Sequence, residues 1–411
     1  MNNHTGLDRR HLLKLVAASA AVGTSLPLKA QNAPRVAVIG GGIVGTSIAY
    51  HLAKSGADIL LLERHALATR ASRGTFAWIN ATWAKQPRDY HTLNQAGVSG
   101  WHRLQRDIGI PVRWEGSLEW FGGTDRQARL RRQIDEQVLW GEPARMVPAS
   151  EFYDLEPLVD FDDTPDVAFS PNDGAVDPVL AANTLANAAQ KLGAKIITNC
   201  AVTDVEQVGD TTRVSTNCGT FDVDRVVLAT GADPEATKRF AGIDIPQRST
   251  PGVIVVTKPY KQILNRIVAA PGVHLHQRLD GRIVLGEQDG APQNEAHAER
   301  LRNRPNSFPE EAYSEMHASR ILAVAEQFLP EISGAEVEDV YIGWRPLPLD
   351  GHPVVGPSPE RRNLYMAITH SGVTLAPVIG ELLSKEIISG VPEAPLAPYR
   401  ATRSFEQIKR Y

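Results

Sequence analysis

Cysteine is almost absent: in 411 residues there are two, Cys200 and Cys218. Two thiols cannot build the multi-bridge framework of a small secreted scaffold, nor a thiolate metal cluster. Positive charge is not in excess either. The formal net charge of -4 excludes the basic surface that a nucleic-acid partner requires. No apolar run reaches the roughly 20 residues needed to cross a bilayer as a helix, so no stable membrane span is expected. Internal repeats and low-complexity blocks are missing too. What remains is ordinary globular composition, 42% hydrophobic and 22% charged, in a chain too long for one modest core. Two domains are the natural expectation.

The N-terminus suggests a compartment. Asp8-Arg9-Arg10-His11-Leu12-Leu13-Lys14 precedes a mildly apolar, alanine-rich run from Leu15 to Leu28, then Lys29-Ala30. Paired arginines before a short apolar segment and small residues describe a twin-arginine export signal over residues 1–30, and a periplasmic destination. That route carries folded proteins, which suits a chain that loads a cofactor before export.

Beyond it, Arg35-Val-Ala-Val-Ile39 reads as a buried parallel strand, Val44 to Ser55 as a helix, and Asp58 to Leu62 as a second buried strand ending at Glu63. Arg88 to Ile108 and Thr124 to Trp140 read as helices, and Pro178 to Leu192 as an amphipathic helix leading into a strand at Lys195. Gly209-Asp210 between Ala201–Glu206 and Thr211–Thr216 reads as a hairpin turn. Asp224 to Ala229 is another buried strand. Leu364 to Thr369 and Val373 to Ile388 close the chain as strand and helix, with Pro377 expected in the first turn of that helix. The fold class is α/β. A Rossmann-like domain is expected from separated segments 34–85, 172–235 and 340–400, with an inserted mixed-sheet domain over 86–171 and 236–339.

Gly40-Gly41-Gly42-Ile43-Val44-Gly45 fits G-x-G-x-x-G, follows a strand, opens a helix, and has Glu63 at the end of the next strand. This is the dinucleotide fingerprint in its proper context. Gly40 makes the tight turn, Gly42 lets a pyrophosphate approach the helix N-terminus, and Gly45 allows close helix–strand packing. Glu63 suits ribose hydroxyls. The fingerprint does not separate FAD from NAD.

Four segments in order carry a resemblance: the fingerprint with Leu61-Leu62-Glu63-Arg64; Asp177-Pro178 leading through Gly193 to Val202; Val226-Val-Leu-Ala-Thr-Gly231-Ala232; and Gly343-Trp344-Arg345-Pro346 with Asp350-Gly351, Pro353 to Gly356 and His370-Ser-Gly-Val-Thr374. The chain resembles the FAD-dependent D-amino acid oxidase superfamily, which contains glycine oxidase, sarcosine oxidase and D-amino acid dehydrogenase. The resemblance implies oxidation of a C–N bond in an amino acid or related amine, with hydride passing to flavin N5. Oxygen or a quinone would be the electron acceptor, and the FAD non-covalent. It implies that Thr230 and Gly231 lie along the FAD and that Val202 meets the adenine. It also places Ser72, Arg73 and Thr75 in the loop past the flavin. His370, Ser371, Gly372, Val373 and Thr374 would then lie beside its pyrimidine ring. Arg345 would grip a substrate carboxylate, a task suited to a planar guanidinium; the alternative is a salt bridge to Asp350 or another structural acid.

Phe76, Trp78 and Trp83 replace small residues of that loop, and either narrow a substrate pocket or pack between domains. His274 and His276 alternate on a strand and share a face. His276 is carried as a candidate catalytic group, although a core or surface position is the commoner fate of such a residue. Cys200 and Cys218 flank the hairpin, with two free thiols favoured over a bridge. The competing readings are an NAD-dependent two-domain dehydrogenase and an FAD-binding protein without turnover.

Overall fold

Apolar runs without polar alternation must be covered on both faces, and the strands so composed form the centre of one layered structure. Four of them, Asp58–Leu62, Arg35–Ile39, Arg225–Leu228 and Leu364–Ile368, lie side by side and parallel. Lys195–Ile197 extends the sheet beyond Asp58–Leu62, and Val354–Pro357 closes the other edge antiparallel. In this computed structural model the described residues are 33–80, 85–161, 164, 166–287 and 303–407. Arg9, Arg10 and Trp83 lie outside them. Pro34–Tyr411 forms one compact unit.

Four helices cover one face of this sheet: Ile43–Lys54, Arg88–Ile108, Pro178–Lys191 and Gly372–Ser389. The third starts as its sequence dictates, with the Asp177 carboxylate accepting from the N–H groups of Val179 and Leu180 and Pro178 at the first helical position. Helix Pro234–Ala241 and a three-stranded antiparallel meander (Val202–Val208, Thr211–Thr216, Gly219–Val223) cover the other face.

The second large sheet has eight strands. Their order is Val337–Pro348, Gln247–Thr257, Ile283–Glu287, Val273–Gln277, Ile267–Ala270, Ser117–Glu119, Asp166–Ser170 and Arg145–Pro148. Side chains alternate across it. Leu118, Val255, Val268, Leu275 and Leu285 pack on one face against helix Glu311–Phe328.

Three details differ from expectation. Helix Arg88–Ile108, assigned by sequence to the inserted domain, packs with the helices of the parallel sheet, and residues 340–348 run in the eight-stranded sheet. Pro377 lies beyond the first turn of Gly372–Ser389. Its ring cannot donate to the Val373 carbonyl, and the Trp101 indole N–H does so instead, at 2.8 Å. Cys200 and Cys218 are bonded to each other, with Cα atoms 5.7 Å apart, where free thiols were favoured. A register irregularity after Val202 leaves Val202 opposite Thr216, which is the register that sets the two flanking cysteines face to face.

Candidate functional site

The parallel sheet changes direction at Arg35–Ile39, whose neighbours Asp58–Leu62 and Arg225–Leu228 lie on opposite sides. Ligands bind at the carboxyl ends of strands at such a switch point. A cavity of about 590 Å³ opens there.

Its floor is the glycine turn. Gly40 has φ +114°, and a side chain on it would overlap the Ala229 carbonyl. One on Gly45 would overlap the Gly40 carbonyl, and a Cβ on Gly42 would stand 3.2 Å from the Ser72 hydroxyl. This is a cradle that side chains would fill, shaped for a group that must touch backbone. The Ser72 hydroxyl accepts from the Ile43 N–H at 3.0 Å, which leaves its own proton available for donation. Glu63 accepts from the N–H groups of Gly41 at 2.7 Å and His65 at 2.9 Å, so its carboxylate is locked beside the turn with one lone pair on each oxygen to spare.

Most of the expected cofactor residues meet at this cavity. Gly40, Gly42, Ile43, Val44 and Gly45 line it, as do Glu63, Arg64, Ser72 and Thr75. Val202, Thr230 and Gly231 close the far side, and His370, Gly372 and Val373 the near end. Thr230 is fixed by a 2.6 Å hydrogen bond to Thr237, and Arg64 by Asp233 at 2.9 Å. Arg73, Ser371, Thr374, Gly343 and Arg345 are not in the lining. Arg73 bonds the Tyr341 hydroxyl at 2.6 Å and covers its ring. The Ser371 hydroxyl meets the Tyr90 hydroxyl at 3.1 Å. Thr374 accepts from the Asn80 N–H, tying the loop after the fingerprint to the helix start.

Arg345 lies on the face of the eight-stranded sheet opposite helix Glu311–Phe328. Strand pairing places Tyr341, Gly343 and Arg345 on that face with Gly252 and Ile254, then Val284 and Gly286, then His274 and His276. The loop that carries Gly74 and Phe76 lies over it. Gly74 meets Gly343 backbone to backbone, and Phe76 sits 3.5 Å from where a Cβ on Gly286 would be. The Arg345 guanidinium lies over Gly252 and donates to the Pro251 carbonyl at 3.1 Å. Asp350 is held by Arg403 at 2.6 and 3.1 Å, so the acid considered as a structural partner for Arg345 is engaged elsewhere.

His276 is 2% exposed and its Nε2 lies 2.8 Å from the Phe76 carbonyl. Burial, reinforced by Arg278, pushes its pKa down to about 3 and keeps it neutral. It does not line the large cavity. Phe76 packs tilted against His274 at 5.5 Å and Trp78 edge-on at 5.7 Å, and neither lines the cavity. Sequence reasoning missed Arg70, Cys200, Arg239, Phe240, Asn303 and Arg304, which all do line it. None belongs to a motif; they arrive from loops and from the helix after Gly231.

A glycine cradle at a switch point, with an acid fixed beside it and Trp344 and Pro346 of the second sheet in its wall, defines a dinucleotide-dependent oxidoreductase. The family model described as FAD dependent oxidoreductase matches residues 35–386, and the chain belongs to that family. Its cofactor is accordingly FAD. Among curated relatives, 4-methylaminobutanoate oxidase (formaldehyde-forming) of Paenarthrobacter nicotinovorans is 29% identical over 87% of this chain, which spans only 44% of that longer protein. Glycine oxidase of Bacillus licheniformis is 27% identical over 85% of this chain and 92% of its own. Among solved structures, glycine oxidase from Geobacillus kaustophilus superposes with a TM-score of 0.78 at 24% identity, covering 91% of this chain and all of its own. That likeness confirms the architecture.

Proposed function

We propose that this chain oxidises the C–N bond of an amino acid or related amine. The observation that carries the reading is Arg345, a guanidinium on the sheet face overlaid by the Gly74–Phe76 loop, resting on a residue without a side chain. The names of the relatives, glycine oxidase and sarcosine dehydrogenase among them, support it.

When bound, FAD supplies the two-electron acceptor that takes the substrate's α-hydrogen as hydride, leaving an imine that water hydrolyses. This chain's residues orient and desolvate. Arg345 holds a carboxylate through two parallel hydrogen bonds. The start of helix Gly372–Ser389 presents N–H groups and a positive dipole end to the cavity, an arrangement that stabilises developing negative charge. Oxygen and a quinone both remain acceptors compatible with this arrangement.

Arg345→Leu tests the reading. It should cost on the order of 2–5 kcal/mol in transition-state binding, roughly thirtyfold to several thousandfold in kcat/KM, with FAD content near normal. Arg345→Lys should recover part of the loss, because an ammonium cannot form the bidentate pair. Normal turnover of carboxylated substrates by Arg345→Leu would point to a simple amine instead.

We also propose export through the twin-arginine route, supported by Arg9-Arg10 and by the Cys200–Cys218 bridge, which suits an oxidising compartment. Replacing both arginines by lysine should leave the protein in the cytoplasm, as cell fractionation would show. Unchanged export would refute the signal.

A further inference from the structure

Three arginines on the cavity wall have no carboxylate partner among the described residues. Six charged side chains line the cavity: Glu63 and Asp233 against Arg64, Arg70, Arg239 and Arg304. Arg64 is paired with Asp233, and Glu63 accepts from backbone N–H groups. Arg70 and Arg304 instead reach neutral oxygens. Arg304 donates to the Ala232 carbonyl at 3.0 Å. Arg70 reaches the Arg304 carbonyl at 3.4 Å and Asn306 Oδ1 at 3.3 Å. Arg70 and Arg239 are exposed and Arg304 half-buried, so these guanidinium groups sit at the cavity rim, where their summed positive charge favours an anion. Partial burial first, and neighbouring Arg64 second, lower the pKa of Arg70, with Glu63 and Asp233 opposing the shift.

The segment that carries Arg304 spans the cradle. Asn306 donates to the Thr69 carbonyl at 3.1 Å, on the side of strand Asp58–Leu62. Arg304 holds Ala232, on the side of strand Arg225–Leu228. Strand Arg35–Ile39 and its glycine turn lie between the two. From beneath, the Asn306 carbonyl accepts from the Ile342 N–H at 2.8 Å and the Pro305 carbonyl from the Trp344 indole at 2.8 Å. The strap is therefore pinned on three sides over the place where the fingerprint binds a diphosphate. The lining carries two positive charges in excess, and a dinucleotide diphosphate carries about two negative ones.

We infer that Arg70 and Arg304 are cofactor-binding residues: Arg304 on the strap Asn303–Asn306, and Arg70 bonded to that strap from the loop after Asp58–Leu62, together hold the diphosphate of FAD against the glycine cradle. The nucleotide fold binds this group through backbone alone; here a segment outside that fold adds charge and closes over it. The inference rests on the FAD dependence of the family and not on the proposed substrate.

The test is FAD, ADP and adenosine binding to apoprotein, by fluorescence titration and by FAD dissociation rate. Arg304→Gln and Arg70→Gln should each weaken FAD and ADP on the order of tenfold to a hundredfold, the range for a charge-assisted hydrogen bond. FAD should dissociate faster, adenosine should bind as in the unaltered protein, and Arg304→Lys should restore part of the ADP affinity. Arg70 is largely on the surface, so Arg70→Gln decides the matter should Arg304→Gln fail to fold. FAD and ADP affinities within about twofold of the starting protein would overturn the inference. So would equal losses for ADP and adenosine, which would make the strap a wall of the adenosine site.

Discussion

At position 276 burial sets the chemistry. The imidazole of His276 is held neutral inside the protein, with a pKa of about 3 against 6.5 when exposed. The unfolded chain therefore binds a proton more readily than the native one. Stability from this group is fully present above about pH 6.5 and is lost as pH falls toward 3. His276→Gln, whose amide can still donate to the Phe76 carbonyl, should flatten the loss of stability between about pH 7 and pH 4 in urea titrations. An unchanged slope would show that other groups carry the acid sensitivity. The alternation of His274 and His276 was legible in the sequence, and so was their shared face. What that face touches depends on Phe76, two hundred residues away, and no local pattern encodes it.

Among the elements, the contact of helix Arg88–Ile108 with Gly372–Ser389 shows how a helix tolerates an internal proline. Gly97 and Gly100 let the two backbones approach, with Gly100 directly against the Pro377 ring. Trp101, fully buried, supplies the donor that the proline leaves missing. Trp101→Phe should cost about 1–3 kcal/mol by leaving the Val373 carbonyl without it, and Gly100→Ala a similar amount through overlap with Pro377. Because Val373 lines the cavity, thermal unfolding with and without FAD should show weaker cofactor stabilisation in both variants. Equal stabilisation would separate this contact from the site. Periodicity revealed both helices, their ends within about a residue. It placed Arg88–Ile108 in the wrong layer, because a period shows that a face is buried and not against what.

For the whole molecule, the legible part was the part with local rules. The fingerprint, Glu63, Thr230-Gly231 and the His370–Val373 turn converge on one cavity because each is a strand end that the parallel sheet aligns. Arg70, Arg239 and Arg304 were invisible since arginines in loops carry no periodic or motif signal. The Cys200–Cys218 bridge turned on a single register step beside Val202, below what strand patterns resolve. Arg345 was singled out by resemblance, and the strand pairing then set it on the face overlaid by the Gly74–Phe76 loop.

Anaerobic mixing of the FAD-loaded protein with a panel of amino acids, N-methylated amino acids and amines tests the central claim most directly. At least one carboxylated amine should bleach the flavin absorbance, with one equivalent of imine-derived carbonyl product per flavin reduced. The Arg345→Leu protein should need far more of the same compound. A flavin that no amine reduces, while a hydroxy acid or nicotinamide dinucleotide does, would contradict C–N oxidation as the function of this site.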